Sequence, residues 1–306
     1  MDFPLPNAVA GGTGGGVVST IMRVQVTSDP ADFSQLAFPF LQQDPVLNTV
    51  ILSNVHERAI GIRPVDDIPP YFVSVHDEDV IGVAMRTPGR GVYLGSLRAD
   101  LVDLVTDQYL DLYDGVVSEG LYDEVVPGGV AGDAAAALRF AERWCERRGG
   151  QVQEVMRTRL HKLITPAPLT AEAGVARPMQ SEDIDLVAAW AGDGFPELGD
   201  ETRDWAEDKL AENTLWIWEV DGVAVSMVAY HRPIFGVCRV GPVYTPPEHR
   251  RHGYAGALTS YVTAEILAGG NQACLYTDLA NPTSNKIYHQ AGYRPLADFV
   301  VLEFTP

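Results

Sequence analysis

Near the C-terminal end, Arg250-Arg251-His252-Gly253-Tyr254-Ala255 lies between a strand-like run, Val237 to Thr245, and an amphipathic helix that continues to about Leu267. A strand, a turn containing glycine and a helix starting there can hold a phosphate. The amide groups of a first helical turn have no intrahelical acceptors and carry the positive end of the helix dipole, so an anion binds them. Gly253 lets the backbone approach closely, Ala255 adds little bulk, and Arg250 and Arg251 bring charge to the rim. The expected ligand is a phosphorylated cofactor. Downstream, Leu275 to Tyr293 reads as strand, helix and stop: Asn281 suits an N-cap, Pro282 the first helical position and Gly292 the C-terminal cap.

The spacing Arg250-x-x-Gly253-x-Ala255, directly after a strand ending Val243-Tyr244-Thr245, resembles the acyl-CoA signature of the GNAT (GCN5-related) N-acetyltransferases. The segment Asn281-Pro282-Thr283-Ser284-Asn285-Lys286-Ile287-Tyr288, followed by Gly292-Tyr293, is similar to the family's second signature. The resemblance covers about the last 130 residues and implies acetyl-CoA as cofactor. It implies cofactor contacts from Val243, Tyr244 and Thr245, from the turn Arg250, Arg251, His252, Gly253, Tyr254, Ala255 and Gly256, and from Asn281 and Asn285. In the family the strand before the phosphate turn splays open and its backbone holds the pantetheine arm. A backbone N–H near Val243 would then polarise the thioester carbonyl, and Tyr288, a further cofactor contact, would donate a proton to the leaving sulfur.

Acetyl transfer to an amine also needs a neutral nucleophile. An alkyl ammonium of pKa about 10.4 is neutral in roughly one molecule per two thousand at pH 7, a deficit of about 4 to 5 kcal/mol. A base acting through water is therefore expected, with His231 and Glu197 as candidates and ordinary loop roles as the alternative for each. The function implied is acetyl transfer to a small-molecule or protein amine by direct attack in a ternary complex. The alternative is a non-catalytic acyl-CoA-binding sensor or scaffold.

These elements predict a mixed α/β fold of two GNAT-like domains, each a mostly antiparallel central sheet flanked by helices, the C-terminal one with a splayed acyl-CoA cleft. Leu215 to Val220 and Val223 to Tyr230 are strands joined at Asp221-Gly222, a dipeptide that tolerates the positive φ angles of a hairpin turn. The following helix places Tyr254, Leu258, Tyr261, Val262 and Ile266 at helical spacing, with Tyr261 expected in the core. The N-terminal half echoes this order without its chemistry. Strands at Tyr71 to Val75 and Val80 to Met85 precede a glycine-rich stretch, Pro127 to Gly132, and a helix, Ala134 to Arg148; that stretch reads as a phosphate turn without arginines, with Asp133 repelling an anion. Gly149-Gly150 before a strand matches Gly269-Gly270 before a strand, which suggests a degenerate internal duplication. The expected organisation is a Gly-rich leader over 1–20, a degenerate GNAT-like domain over 21–165, a linker near Thr165-Pro166-Ala167-Pro168, and a catalytic domain over 174–306.

The whole-chain balance restricts partners. With 306 residues, 22 Lys and Arg against 41 Asp and Glu, and a formal net charge of -19, sustained contact with nucleic acid or an anionic membrane is disfavoured. A local phosphate site survives that field, because screening acts over about 8 Å at physiological salt. No membrane-spanning run or secretory signal is legible, which predicts a cytoplasmic protein, monomeric or homodimeric. The three cysteines, Cys145, Cys238 and Cys274, fit no metal-ligand spacing and are expected as reduced, mostly buried thiols.

Overall fold

The computed structural model describes residues 22–63, 68–95, 97–118 and 127–306, so the Gly-rich leader lies outside the described residues. The chain divides into two compact units, one of residues 1–157 with 298–306 and one of residues 158–297. Among the described residues, no helix is long and apolar enough to cross a membrane.

The first unit runs β1 (Arg23–Thr27), α1 (Pro30–Leu41), α2 (Thr49–Ala59), β2 (Tyr71–Asp77), β3 (Asp79–Arg86), β4 (Val92–Tyr93), α3 (Ala99–Ser118), β5 (Gly129–Asp133) and α4 (Ala134–Arg148). The end of the last strand, β12 (Tyr293–Thr305), closes its sheet against β5, with Phe299 opposite Asp133 and Glu303 opposite Gly129. Sheet order is β1-β2-β3-β4-β5-β12, antiparallel except for β4 beside β5. Two apolar clusters hold helices to the two faces. Leu101, Val105, Tyr109, Phe140 and Trp144 bring α3 and α4 onto one, and Phe33, Leu41, Ile51 and Val55 bring α1 and α2 onto the other.

The second unit runs β7 (Val175–Pro178), α5 (Ile184–Gly194), a short 3-10 segment, α6 (Thr202–Glu212), β8 (Leu215–Val220), β9 (Val223–Tyr230), β10 (Val237–Tyr244), α7 (Tyr254–Ala268), β11 (Gln272–Asp278) and α8 (Pro282–Gln290). Residues from Thr158 of β6 (Gln151–Leu163) close this sheet against β11, giving the order β7-β8-β9-β10-β11-β6. Both units therefore show one element order, strand, two helices, three strands, helix, strand, helix, with the fourth and fifth strands parallel in each. Each takes its closing strand from the sequence that follows the other's last helix.

That shared order corrects the register of the internal echo. Gly129–Asp133 is a strand, in the place of β11, and α4 stands in the place of α8. The counterpart of the Arg250 turn is the stretch between β4 and α3. The glycines of β5 serve close packing: a Cβ on Gly129 would lie 2.1 Å from the Leu302 carbonyl oxygen, and one on Gly132 2.9 Å from the Leu94 Cβ. Asp133 caps α4, accepting from the amides of Ala135 at 3.1 Å and Ala136 at 3.2 Å.

In the second unit α7 buries Leu258, Val262 and Ile266 against Val228, Cys238, Val240 and Leu275, while Trp190 of α5 and Ala206 of α6 cover Ile217 and Met227 on the opposite face. Tyr261 departs from its expected core place. It is 39% exposed and leans on Trp216, ring centroids 5.0 Å apart. The Asp221-Gly222 hairpin has positive φ at both residues, 49° and 79°.

Candidate acyl-CoA cleft

Where the second sheet opens decides where a ligand can enter. β10 runs parallel to β11 from Val237 opposite Gln272 to Val240 opposite Leu275, and the pairing stops there. Its pairing with β9 shifts register across Gly241 and Pro242, then resumes with Val243 opposite Val228 and Tyr244 opposite Met227. The bulge thus turns β10 away from β11 while keeping it on β9. Main-chain groups beyond Val240 are left on an open edge, the kind of edge to which an extended ligand adds as a strand. In the first unit the equivalent strands stay zipped, the Leu94 amide donating to Ala131 O at 2.8 Å and the Asp133 amide to Gly95 O at 2.9 Å.

The open edge leads to the Arg250 turn. Arg251 has φ 71° and Gly253 φ 81°, and α7 starts at Tyr254. The first helical bond is from the Ala257 amide to Gly253 O at 3.0 Å, so the amides of Gly253, Tyr254, Ala255 and Gly256 have no acceptor among the described residues. Arg250 Nε donates to Thr245 O at 2.9 Å, which folds the turn back on the strand end. Ser226 Oγ donates to Tyr244 O at 2.9 Å and lies 2.8 Å from Thr245 Oγ1.

Strand edge, turn and α8 line one cavity of about 730 Å³. Of the residues expected at a cofactor, Val243, Tyr244, Thr245, Arg250, Arg251, Gly253, Tyr254, Ala255, Gly256, Asn281 and Tyr288 border it. His252 does not. Its Nδ1 lies 2.8 Å from Glu172 Oε2, and its ring stacks on Tyr254 at 5.3 Å. Asn285 is also absent from the lining, because its amide is engaged elsewhere. It accepts from Thr277 Oγ1 at 2.7 Å and donates to Asp278 O at 3.1 Å and to Asn281 O at 2.8 Å. Since the Thr277 hydroxyl donates to Asn285, the contact at 3.1 Å between Thr277 Oγ1 and His161 Nε2 makes that histidine nitrogen the donor. Asn285 thereby fixes the start of α8, where Asn281 caps the Ser284 amide at 3.1 Å.

Tyr288 is 9% exposed and edge-on to Tyr293, 6.2 Å between centroids; burial pushes its pKa up to about 12. A hydroxyl in that state keeps its proton at neutral pH. Cys238 and Cys274 are buried, and burial pushes them up to about 11 and about 12, which leaves neither as a thiolate nucleophile. Cys145 is half-buried, its thiol also raised by burial.

The two expected bases fare differently. His231 sits just past β9, where its Nε2 lies 3.3 Å from Arg239 Nη2 and therefore accepts from the guanidinium; it does not border the cavity. Glu197 is in the 3-10 segment after α5, and its side chain lies outside the described residues. A residue that sequence reasoning missed, Asp193 at the end of α5, borders the cavity and accepts a short hydrogen bond from the Tyr244 hydroxyl. That bond and burial, burial first, raise the Tyr244 pKa. No local signal marks Asp193, since its partner is 51 residues away in sequence.

Comparison with known proteins agrees with this geometry. Residues 229–300 match the model of the FR47-like protein family. No curated protein matches the sequence. Among solved structures, a GCN5-related N-acetyltransferase from Sphaerobacter thermophilus is similar at a TM-score of 0.63 and 15% identity, over 93% of this chain and 96% of that one. A GNAT-family acetyltransferase from Colwellia psychrerythraea is similar at a TM-score of 0.59 and 11% identity, over 92% of this chain and 100% of that one. Residues 229–300 thus carry an FR47-like segment, and the chain has the mixed α/β fold of the GCN5-related N-acetyltransferases.

Proposed function

We propose that the chain is an acetyl-CoA-dependent N-acetyltransferase acting on a primary amine of a small molecule or protein by direct attack in a ternary complex. The observation that carries this reading is the continuous path from the opened edge of β10 to the acceptor-free amides at the start of α7. The edge suits an extended amide-bearing arm, and the amides with Arg250 and Arg251 suit its pyrophosphate. Bound there, acetyl-CoA would supply a thioester-activated acyl group. Tyr288 holds a proton at the cavity wall for the departing sulfur, and the strand beyond Val240 offers main-chain donors for a developing oxyanion. Among the described residues the first unit, whose equivalent strands remain paired, shows no such path, which favours one site per chain.

The test is release of free thiol from acetyl-CoA with a panel of primary amines. Wild type should turn over at least one acceptor, and Tyr288→Phe should lower kcat about 10²-fold, with CoA affinity by calorimetry unchanged. CoA binding without turnover on any amine would instead support a non-catalytic acyl-CoA sensor or scaffold.

A further inference from the structure

Arg239 lacks the carboxylate partner that holds Arg143 and Arg177 in this acidic chain. Arg177, 22% exposed, is held by Asp183 and Glu219, and Arg143, 28% exposed, by Asp107. Arg239 is also partly buried, yet no carboxylate lies within ion-pairing reach of it among the described residues. Its Nη1 is buried without a hydrogen-bond partner, and its Nη2 reaches only His231 Nε2 at 3.3 Å. Leaving a charged donor buried and unpaired costs several kcal/mol, so such a group calls for an anion.

Its place in the sheet says which anion. Arg239 precedes Val240, the last residue of β10 still paired with β11. Cys238 and Val240 point into the cluster beneath α7, so by strand alternation Arg239 points to the other face, where its register neighbour is Cys274. Arg239 therefore stands one residue short of the opening between the strands, on the face opposite α7 and outside the lining of the cavity. The cofactor's phosphates have their own turn beyond the far end of β10, past Thr245. An anion at Arg239 belongs to the other substrate.

We infer that Arg239 binds a carboxylate of the acceptor, so that the amine acetylated is one that also carries a carboxylate, as an amino acid does. This rests on the N-acetyltransferase reading above, which brings the acyl group to that opening. A planar guanidinium with one nitrogen unpartnered matches a carboxylate once a side-chain rotation brings that buried nitrogen to the opening, and this single cation, with a histidine beside it, suits one negative charge.

The experiment compares amino acids, their carboxamides and the corresponding amines without the carboxylate, on the full chain. In thiol release, wild type should prefer the acids at least tenfold in kcat/KM. Arg239→Met should raise KM for the acids tenfold or more and leave the carboxamides within twofold, and Arg239→Lys should recover part of the loss. A second arm, independent of turnover, titrates the same compounds calorimetrically into the chain saturated with CoA. There the acids should bind wild type at least tenfold more tightly than Arg239→Met. Acids and carboxamides behaving alike in wild type, or Arg239→Met weakening both equally, overturns the inference. So does O-phosphoethanolamine binding tenfold more tightly than every amino acid. Absence of thiol release with any amine overturns the enzymatic reading, and the binding arm then still decides whether Arg239 takes a carboxylate. If circular dichroism shows Arg239→Met unfolded, Arg239→Lys carries both arms, with at least a threefold loss expected on the acids alone.

Discussion

Replacing Gly253 by alanine separates backbone strain from ligand binding. Gly253 has φ 81°, and a Cβ there would lie 3.0 Å from Thr170 O and 3.4 Å from Ala171 Cα. An L-residue held in that region costs about 1 to 2 kcal/mol, and the contact with Thr170 asks the neighbour to give by a few tenths of an ångström. The turn can relieve both only by rotating the amides that begin α7. Each charge-assisted bond to a phosphate that is lost in this way weakens binding by about 1.5 to 3 kcal/mol, roughly 10- to 150-fold in Kd. Gly222→Ala is the control. It too has positive φ, 79°, but a Cβ there meets nothing within 4 Å and the hairpin is remote from the cavity lining. Urea unfolding should show a loss of about 1 to 2 kcal/mol in both variants, and calorimetry with CoA should show at least tenfold weaker binding in Gly253→Ala only. If Gly253→Ala is destabilised like Gly222→Ala yet binds CoA within twofold of wild type, the phosphate assignment of this turn is wrong.

Two further outcomes follow from single side chains. The Tyr288 hydroxyl has an ordinary value of 10.0 and is pushed up to about 12 by burial, so above pH 10 the unfolded chain loses this proton before the folded one does. Its contribution to stability is present below pH 10 and falls by about 1.4 kcal/mol by pH 11; urea unfolding at pH 8 and pH 11 should show Tyr288→Phe losing less than wild type by that amount, and an equal loss in both refutes the shift. Asn285→Ala removes three hydrogen bonds at the start of α8 and should cost about 1 to 2 kcal/mol in a urea titration, while Asn285 makes no part of the cavity wall. CoA affinity in that variant should fall less than in Asn281→Ala, and the reverse order would make Asn285 the ligand contact.

The parts of the site that sequence revealed are those made by neighbours in the chain. The Arg250 turn, the Asn281 cap with Pro282 behind it, and the Asp221-Gly222 hairpin each follow from the conformational preferences of a few consecutive residues. Asn285 shows the limit of motif reading. Its residue type and position fit a ligand contact, but the amide is spent on Thr277, Asp278 and Asn281, which only the fold brings within reach. Asp193 was invisible for the same reason, since its meaning comes from Tyr244 across the unit. The glycines at 129 and 132 misled in the opposite sense. Composition made them a turn, whereas tight approach of Leu94 and of the strand that carries Leu302 makes them strand positions where a side chain does not fit.

The exchange of closing strands ties the order of synthesis to the order of folding. The first unit's sheet is finished by Phe299 to Glu303, some 170 residues after their β5 partners in the sequence. The edge of β5 must wait, unpaired, while the whole second unit is made, and an unpaired edge is a template for other chains. The second unit in turn needs Thr158 to Lys162, encoded ahead of its own first strand, to cover β11. Neither unit is therefore a transferable module with ends at the Pro166-Pro168 segment. Removal of residues 298–306 would leave β5 of the first unit without its closing strand.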